Sequence, residues 1–426
     1  MTVHPTARPP VRRVVVVGSG LAGLRTAAEL RGQGFDGELT VVSAELLAPY
    51  DRPPLSKELL SRPEPLWLAG EGYGELADLA DHWLRGHEAV ALDADDDGAR
   101  LEVRAPDDGR TSTLAADAVV VATGARPVRR PTWHGALHLH DAGDAARLRE
   151  ELAPGRRLTV IGAGWIGGEL ATVASAAGVE VTVLEAAPGP LAHVLGTEVS
   201  RLVAPWYPSA GITLCCTALV TATGPEGVQL DDGSRVAADV VVAAAGVRPA
   251  TAWLGGTLPL TARGAVPVDL AGRVRGGPAT VRAVGDVTDR WSPRDGELPG
   301  AHWDGALSYP AALVADLLGG DGPAGRQADP APYVFSTQLG HELTVVGRVP
   351  TAGEVVLRGD PASGEGWTAL YVAPDDAGEV RLRAGFTVDR PRDVGALRRA
   401  LSAPEHSALD PVAAADPGLP LRKALR

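Results

Sequence analysis

A strand, a glycine turn and a helix follow one another twice in this chain, with the glycines at the same spacing each time. Residues 14–30 read VVVVGSGLAGLRTAAEL: four valines, glycines at 18, 20 and 23, then apolar positions at Leu24, Ala27, Ala28 and Leu30. An unbroken β-branched run marks a strand buried on both faces of a parallel sheet, and the register after it is helical. Between them, Gly18 allows the tight turn, Gly20 lets a pyrophosphate approach the backbone, and Gly23 lets the helix pack against the strand, with the helix N-terminus facing the anion. The next strand, ELTVVSAE, ends at Glu45, the distance expected of a carboxylate that takes ribose hydroxyls. Residues 156–188, RRLTVIGAGWIGGELATVASAAGVEVTVLEAAP, repeat every part, with Gly162, Gly164, Gly167 and a strand ending at Glu185. Two such units predict two dinucleotides. After Glu185 comes AAPGP, with no arginine to receive a 2′-phosphate, so the second dinucleotide is expected to be NAD(H) rather than NADP(H).

At 426 residues and 45% hydrophobic content the chain has room for two or three packed domains. DAVVVATGARP (117–127) and ADVVVAAAGVRP (238–249) are apolar strands ending in Gly-x-Arg-Pro turns, and they bracket the second glycine unit as the two crossings of a domain boundary would. A further strand, ATVRAVGDVT, leads into Gly285-Asp286, where an aspartate can accept a ribityl or ribose hydroxyl. GGDGPAGRQADPAP (319–332) reads as a linker to a last domain of short β runs closed by a helix. The expected class is α/β, with two Rossmann-like dinucleotide-binding domains and a carboxy-terminal α+β domain. The first domain takes 1–127 and 250–330, the inserted second takes 128–249, and the last takes 331–426.

The formal charge of −13 argues against a global basic field for nucleic acid, and apolar runs stop well short of a membrane span. The two cysteines, adjacent at 215 and 216, form no CxxC pair and suit a reducing cytoplasm. His82, His87, His134, His138 and His140 have no metal-ligand spacing, and DADDD (93–97) reads as a solvated turn.

In this order the landmarks resemble the two-dinucleotide, glutathione-reductase-like flavoproteins. PYDRPPLSKELL (49–60) is similar to the flavin-contact segment of the FAD-dependent ferredoxin reductases of the putidaredoxin reductase and biphenyl dioxygenase reductase type. TVLEAAPGPLAHVLGTEVS, AVGDVT and FTVDRPRDVGALRRAL extend the resemblance over nearly the whole chain. It implies FAD and NADH as cofactors. Gly18, Gly20, Gly23 and Glu45 would hold the FAD pyrophosphate and adenosine ribose, Asp286 the ribityl chain, and Arg52 and Lys57 would approach the flavin. Thr123, Gly124 and Trp303 would be further cofactor contacts, and Gly162, Gly164, Gly167, Glu185 and Gly246 would serve the second dinucleotide. It also implies a catalytic ion pair between Lys57 and Glu169, in which the lysine stabilises negative charge on the flavin as hydride arrives. The implied activity is a cytoplasmic ferredoxin–NAD(+) reductase passing electrons to a small iron–sulfur protein that serves an oxygenase.

The chain departs from that pattern in places. Where the family usually shows Phe-Trp-Ser-Asp-Gln it reads VFSTQ, with Phe335 and Thr337 at the changed positions. PGAHWDGALSYP retains His302 and Trp303, lacks the Arg and Glu that commonly precede them, and has Tyr309 for a glutamine; His140-Asp141 stands for Arg-Thr. These changes bear on the electron acceptor. A disulfide or peroxide reductase of the same architecture is one alternative, but its redox cysteine is absent from residues 18–60. An NADH-responsive redox binding protein similar to apoptosis-inducing factor is another. Arg381, Arg383, Arg390, Arg392, Arg398 and Arg399 form the expected positive face on which an acidic ferredoxin would dock.

Overall fold

The computed structural model describes residues 11–300, 303–319, 329–375 and 377–426; His302 and most of the 319–332 segment lie outside them. Two compact units form. One comprises Met1–Asp51, Trp67–Ala125 and Arg248–Ala328, the other Arg52–Leu66, Arg126–Val247 and Asp329–Arg426.

The first unit is built on a parallel sheet in the order Val281–Ala283, Ala118–Val121, Arg13–Val17, Glu38–Ser43, His82–Arg85. Its central strand shows why the valine run does not alternate with polar residues. Val14 and Val16 pack with Leu24, Ala27 and Leu30 of the helix Leu21–Gly32 and with Leu313, Val314 and Leu317 of the helix Trp303–Leu317. Val15 and Val17 point the other way, into Leu92, Leu101 and Val103 of an antiparallel three-stranded sheet, Glu88–Ala94, Ala99–Arg104 and Thr111–Ala116. Both faces are thus covered, and all four valines are buried. The turn of that antiparallel sheet carries the acidic DADDD run, in which Asp95 accepts the N–H groups of Asp97 and Gly98.

In the second unit a parallel sheet runs Thr213–Cys216, Glu180–Glu185, Arg157–Ile161, Val240–Ala243, followed in the chain by an antiparallel five-stranded sheet. That sheet has the order Tyr333–Gln338, His341–Gly347, Val380–Val388, Trp367–Pro374, Glu354–Arg358. One face packs Leu343, Trp367 and Phe386 against Leu195, Val199 and Val203 of the helix Ala192–Val203. The other packs Val346, Leu370 and Leu382 against Leu397 and Leu401 of the helix Pro391–Leu401. The domain does not close with that helix, as the sequence led us to expect. A tail with the short helix Pro411–Ala415 folds back and is held by Arg358. This arginine is buried, bonds Asp393 at 3.0 Å, and donates to the carbonyls of Ala414 (3.1 Å), Asp416 and Leu419 (2.6 Å). A five-residue helix is too short to show a period in sequence.

The two glycine turns agree position by position. Gly18 has φ +113° and Gly162 +107°, and a Cβ on either would stand 2.3 Å from the Ala122 carbonyl oxygen or 2.6 Å from that of Ala244. A Cβ on Gly23 would lie 1.9 Å from the Gly18 oxygen, and one on Gly167 would lie 2.0 Å from the Gly162 oxygen. At Gly20 and Gly164 it would meet no protein atom within 4 Å. The third glycine is therefore a packing requirement and the middle one is not. Gly167→Ala is expected to cost about 1–3 kcal/mol through overpacking, while Gly164→Ala changes stability by less than about 1 kcal/mol. Thermal unfolding of the two variants checks this, and equal losses would refute the distinction.

Candidate functional site

The helices Leu21–Gly32 and Trp165–Ala176 begin at Gly20 and Gly164, with no side-chain cap and no acidic residue in the first turn. Their first N–H groups therefore present an uncompensated positive end beside open backbone, which suits a phosphate-bearing group.

In the first unit the carboxylate of Glu45, two residues beyond the strand Glu38–Ser43 that the sequence pattern carried through to it, accepts the Tyr50 hydroxyl at 2.6 Å. Thr123 donates to the Ala250 carbonyl at 3.0 Å, and the Gly124 carbonyl accepts the Ala250 N–H at 2.9 Å. Trp303 donates its indole N–H to Asp51 at 2.8 Å. Asp286 follows the strand Val281–Ala283 and is half-buried. Tyr309, one of the departures, lies beneath the Arg290 guanidinium, 4.6 Å from its ring centre.

In the second unit Glu185 is buried and turned toward the backbone. One oxygen accepts the N–H of Ala163, inside the glycine turn, at 2.7 Å, and the other accepts the Ala187 N–H at 2.8 Å. The acid that the spacing pointed to as a ribose contact braces the glycine turn. The Gly246 carbonyl accepts the Val128 N–H at 3.0 Å. Arg52 donates to the His140 carbonyl. Asp141 caps the helix Ala142–Glu151 by accepting the Asp144 N–H at 2.8 Å, so the His-Asp departure has a local structural use.

The structure brings Lys57 and Glu169 together. Lys57 ends the short helix Pro54–Lys57, Glu169 lies in Trp165–Ala176, and the two form a salt bridge. Glu169 is only 5% exposed and accepts two further hydroxyls, from Ser56 and from Ser336, each at 2.5 Å. Sequence reasoning missed both serines and Gln338, which donates to Ser336 at 3.1 Å. A signal was present in VFSTQ, which forms the strand Tyr333–Gln338. Alternation turns Ser336 and Gln338 inward and Phe335 and Thr337 outward, so both departures fall on the exposed face. Phe335, 40% exposed, has its ring centre 5.5 Å from the Lys57 ammonium.

Arg381 is ion-paired with Asp375 (2.7 Å) and Glu379 (3.0 Å), and Arg390 with Asp393 (3.0 Å). Arg383 is half-buried, while Arg392, Arg398 and Arg399 are exposed on the helix Pro391–Leu401. Arg398 also sits 4.5 Å from the Tyr333 ring centre. The six-arginine face expected from sequence narrows to this helix.

Cys215 and Cys216 are free thiols on the strand Thr213–Cys216. Burial, the Glu185 carboxylate and Cys215 push the Cys216 thiol up, away from the reactive thiolate. Replacing both by serine is expected to leave NADH-dependent reduction of an artificial acceptor largely intact. A loss of several orders of magnitude with the fold retained would restore a thiol role.

Residues 12–305 match the family of pyridine nucleotide-disulphide oxidoreductases, and residues 333–425 match the reductase C-terminal family. The chlorobenzene dioxygenase ferredoxin reductase component of Cupriavidus sp. (strain PS12) is 32% identical over 425 residues, covering 97% of each chain. The benzene 1,2-dioxygenase system ferredoxin–NAD(+) reductase subunit of Pseudomonas putida is 31% identical over 400 residues, 92% of each. Among solved structures, the ferredoxin reductase for the CYP199A2 system from Rhodopseudomonas palustris gives a TM-score of 0.84 at 28% identity, over 97% of this chain and 99% of that one. A chain of the covalent putidaredoxin reductase–putidaredoxin complex gives 0.81 at 26% identity, over 98% of each. The chain therefore belongs to the pyridine nucleotide-disulphide oxidoreductases, an FAD- and NAD(H)-using family of oxidoreductases, within the ferredoxin reductases that carry the reductase C-terminal domain.

Proposed function

We propose that this protein is an NADH-dependent, FAD-containing reductase that delivers electrons to a small iron–sulfur ferredoxin serving an oxygenase. The Lys57–Glu169 pair, with Glu169 buried and Lys57 partly exposed, carries the reading. It is the constellation that the ferredoxin reductase resemblance implies. The two uncapped helix ends with open backbone at Gly20 and Gly164 fit the pyrophosphates of the two cofactors. Gly18, Gly20, Gly23, Glu45, Thr123, Gly124, Asp286 and Trp303 would hold FAD. Gly162, Gly164, Gly167, Glu185 and Gly246 would hold NADH, and Arg52 and Lys57 would attend the flavin. Bound FAD supplies the conversion from a two-electron donor to a one-electron acceptor.

The chain's own groups do the rest. Lys57 offers a fixed positive charge, held by Glu169, for negative charge that develops during reduction. The Glu185 carboxylate favours free ribose hydroxyls over a 2′-phosphate. Arg392, Arg398 and Arg399 give the docking face for an acidic ferredoxin on a chain of net charge −13. Among the described residues no helix is long and apolar enough to cross a membrane. The two unpaired cysteines suit the reducing cytoplasm, where we place the protein.

The test is anaerobic reduction of the purified yellow protein by NADH, followed by a screen of ferredoxins as acceptors. Bleaching of the flavin and turnover with a ferredoxin are expected, and a folded preparation that takes up no FAD would overturn the reading. NADH should exceed NADPH in kcat/KM by about tenfold or more, the scale of one unfavourable charge contact; comparable efficiencies would reject the role of Glu185.

Docking on the arginine helix predicts that ferredoxin reduction slows steeply with added salt. Arg398→Glu with Arg399→Glu should depress it while reduction of a small neutral acceptor stays unchanged. If both activities fall together, or neither moves, the acceptor docks elsewhere.

A further inference from the structure

We infer that Ser336, in the carboxy-terminal domain, is a positioning residue for the Lys57–Glu169 pair, and that Gln338 holds its hydroxyl in the donating orientation. This rests on the proposed part of that pair in flavin reduction. A carboxylate as deeply buried as Glu169 costs heavily unless hydrogen bonds replace the water it has lost. Its Oε1 accepts the Lys57 ammonium and the Ser336 hydroxyl, and its Oε2 accepts the Ser56 hydroxyl. Ser56 and Lys57 are neighbours on one short helix. Ser336 is the group that arrives from elsewhere, 167 residues further along the chain.

A serine hydroxyl carries one proton, and a carboxylate only accepts. That proton therefore belongs to Glu169, and the Gln338 amide must donate to Ser336, as its geometry shows at 3.1 Å. The same strand end meets the helix at two more points, one a close steric approach and the other a hydrogen bond. The Gln338 side-chain carbonyl lies over Gly168, where a Cβ would stand 1.6 Å from it. The Leu339 N–H donates to Thr172 Oγ1 at 2.8 Å, and that hydroxyl bonds the Gly168 carbonyl at 2.7 Å. Gly168, Glu169 and Thr172 share one side of the helix, so its rotation is fixed at the position that aims the carboxylate.

The choice of cation makes this positioning matter. Of 40 lysines and arginines only residues 57 and 423 are lysine. A guanidinium is a rigid planar fork, whereas an ammonium is a compact charge on a flexible stem. Its place is set by the acceptor it meets, and Ser336 sets that acceptor.

The scarcity of lysine also supplies the measurement. Reductive methylation with formaldehyde and a borane reductant, mapped by mass spectrometry on the purified protein, reads Lys57 against exposed Lys423 as an internal reference. Ser336→Ala should raise the relative labelling of Lys57 severalfold, and Ser336→Thr should restore the wild-type ratio. In stopped-flow, Ser336→Ala should slow flavin reduction by NADH about tenfold, the scale of one hydrogen bond to a charged group, with little change in NADH affinity. That loss should vanish in a Lys57→Met background. Where alanine prevents folding, Ser336→Thr against Ser336→Val gives the same contrast at constant shape. Unchanged Lys57 labelling, or an equal slowing in the Lys57→Met background, would overturn the inference. Wild-type protein that NADH does not reduce would instead overturn the proposed function, and the labelling would still decide the role of Ser336.

Discussion

A carboxylate taken out of water has to be answered by hydrogen-bond donors, and the second unit is organised around one such demand. Glu169 draws its donors from the segment that carries Ser56 and Lys57 and from the first strand of the carboxy-terminal sheet. Removing one partner of a buried pair typically costs about 3–5 kcal/mol, because the remaining charge stays uncompensated. The demand therefore fixes more than one side chain. It sets the rotation of the helix Trp165–Ala176, the absence of a side chain at Gly168, and the register in which Ser336 and Gln338 face inward. The same helix opens at the glycine turn, so the turn proposed to hold a dinucleotide and the ion pair share one element.

What the sequence made legible was local. The glycine spacing, the valine run and the strand ends all report on residues within about thirty positions of one another, where steric rules act directly. Gly23 stands against the Gly18 backbone, as its spacing implies, whereas the close neighbour of Gly18 is the carbonyl of Ala122, 104 residues away. The contacts that bridge long separations were not legible. Ser56 lies 113 residues from Glu169 and Ser336 lies 167, and no period or spacing connects them. The Lys57–Glu169 pair itself came from resemblance, since charge pairs at such a distance leave no pattern. Glu185 shows a subtler limit. Its position at the strand end was readable, but its bonds to the Ala163 and Ala187 N–H groups depend on how the turn closes.

The arginines of the carboxy-terminal domain show how charge counting misleads. Two of the six expected on one face are neutralised by acids that the fold brings alongside, Asp375 and Glu379 for Arg381, and Asp393 for Arg390. Arg398 and Arg399 remain exposed in the last turn of their helix, where a positive charge also complements the helix dipole. These side chains thus stabilise the helix that presents them.

Arg358 links the order of synthesis to the order of assembly. Its buried guanidinium needs the carbonyls of Ala414, Asp416 and Leu419, which leave the ribosome some sixty residues after the arginine itself. Until that stretch emerges, Arg358, on the edge strand Glu354–Arg358 of the sheet that carries Ser336, lacks these three acceptors, although Asp393 already meets it. A chain that ends before residue 414 would therefore leave this arginine, and the sheet edge it belongs to, without the tail that covers it.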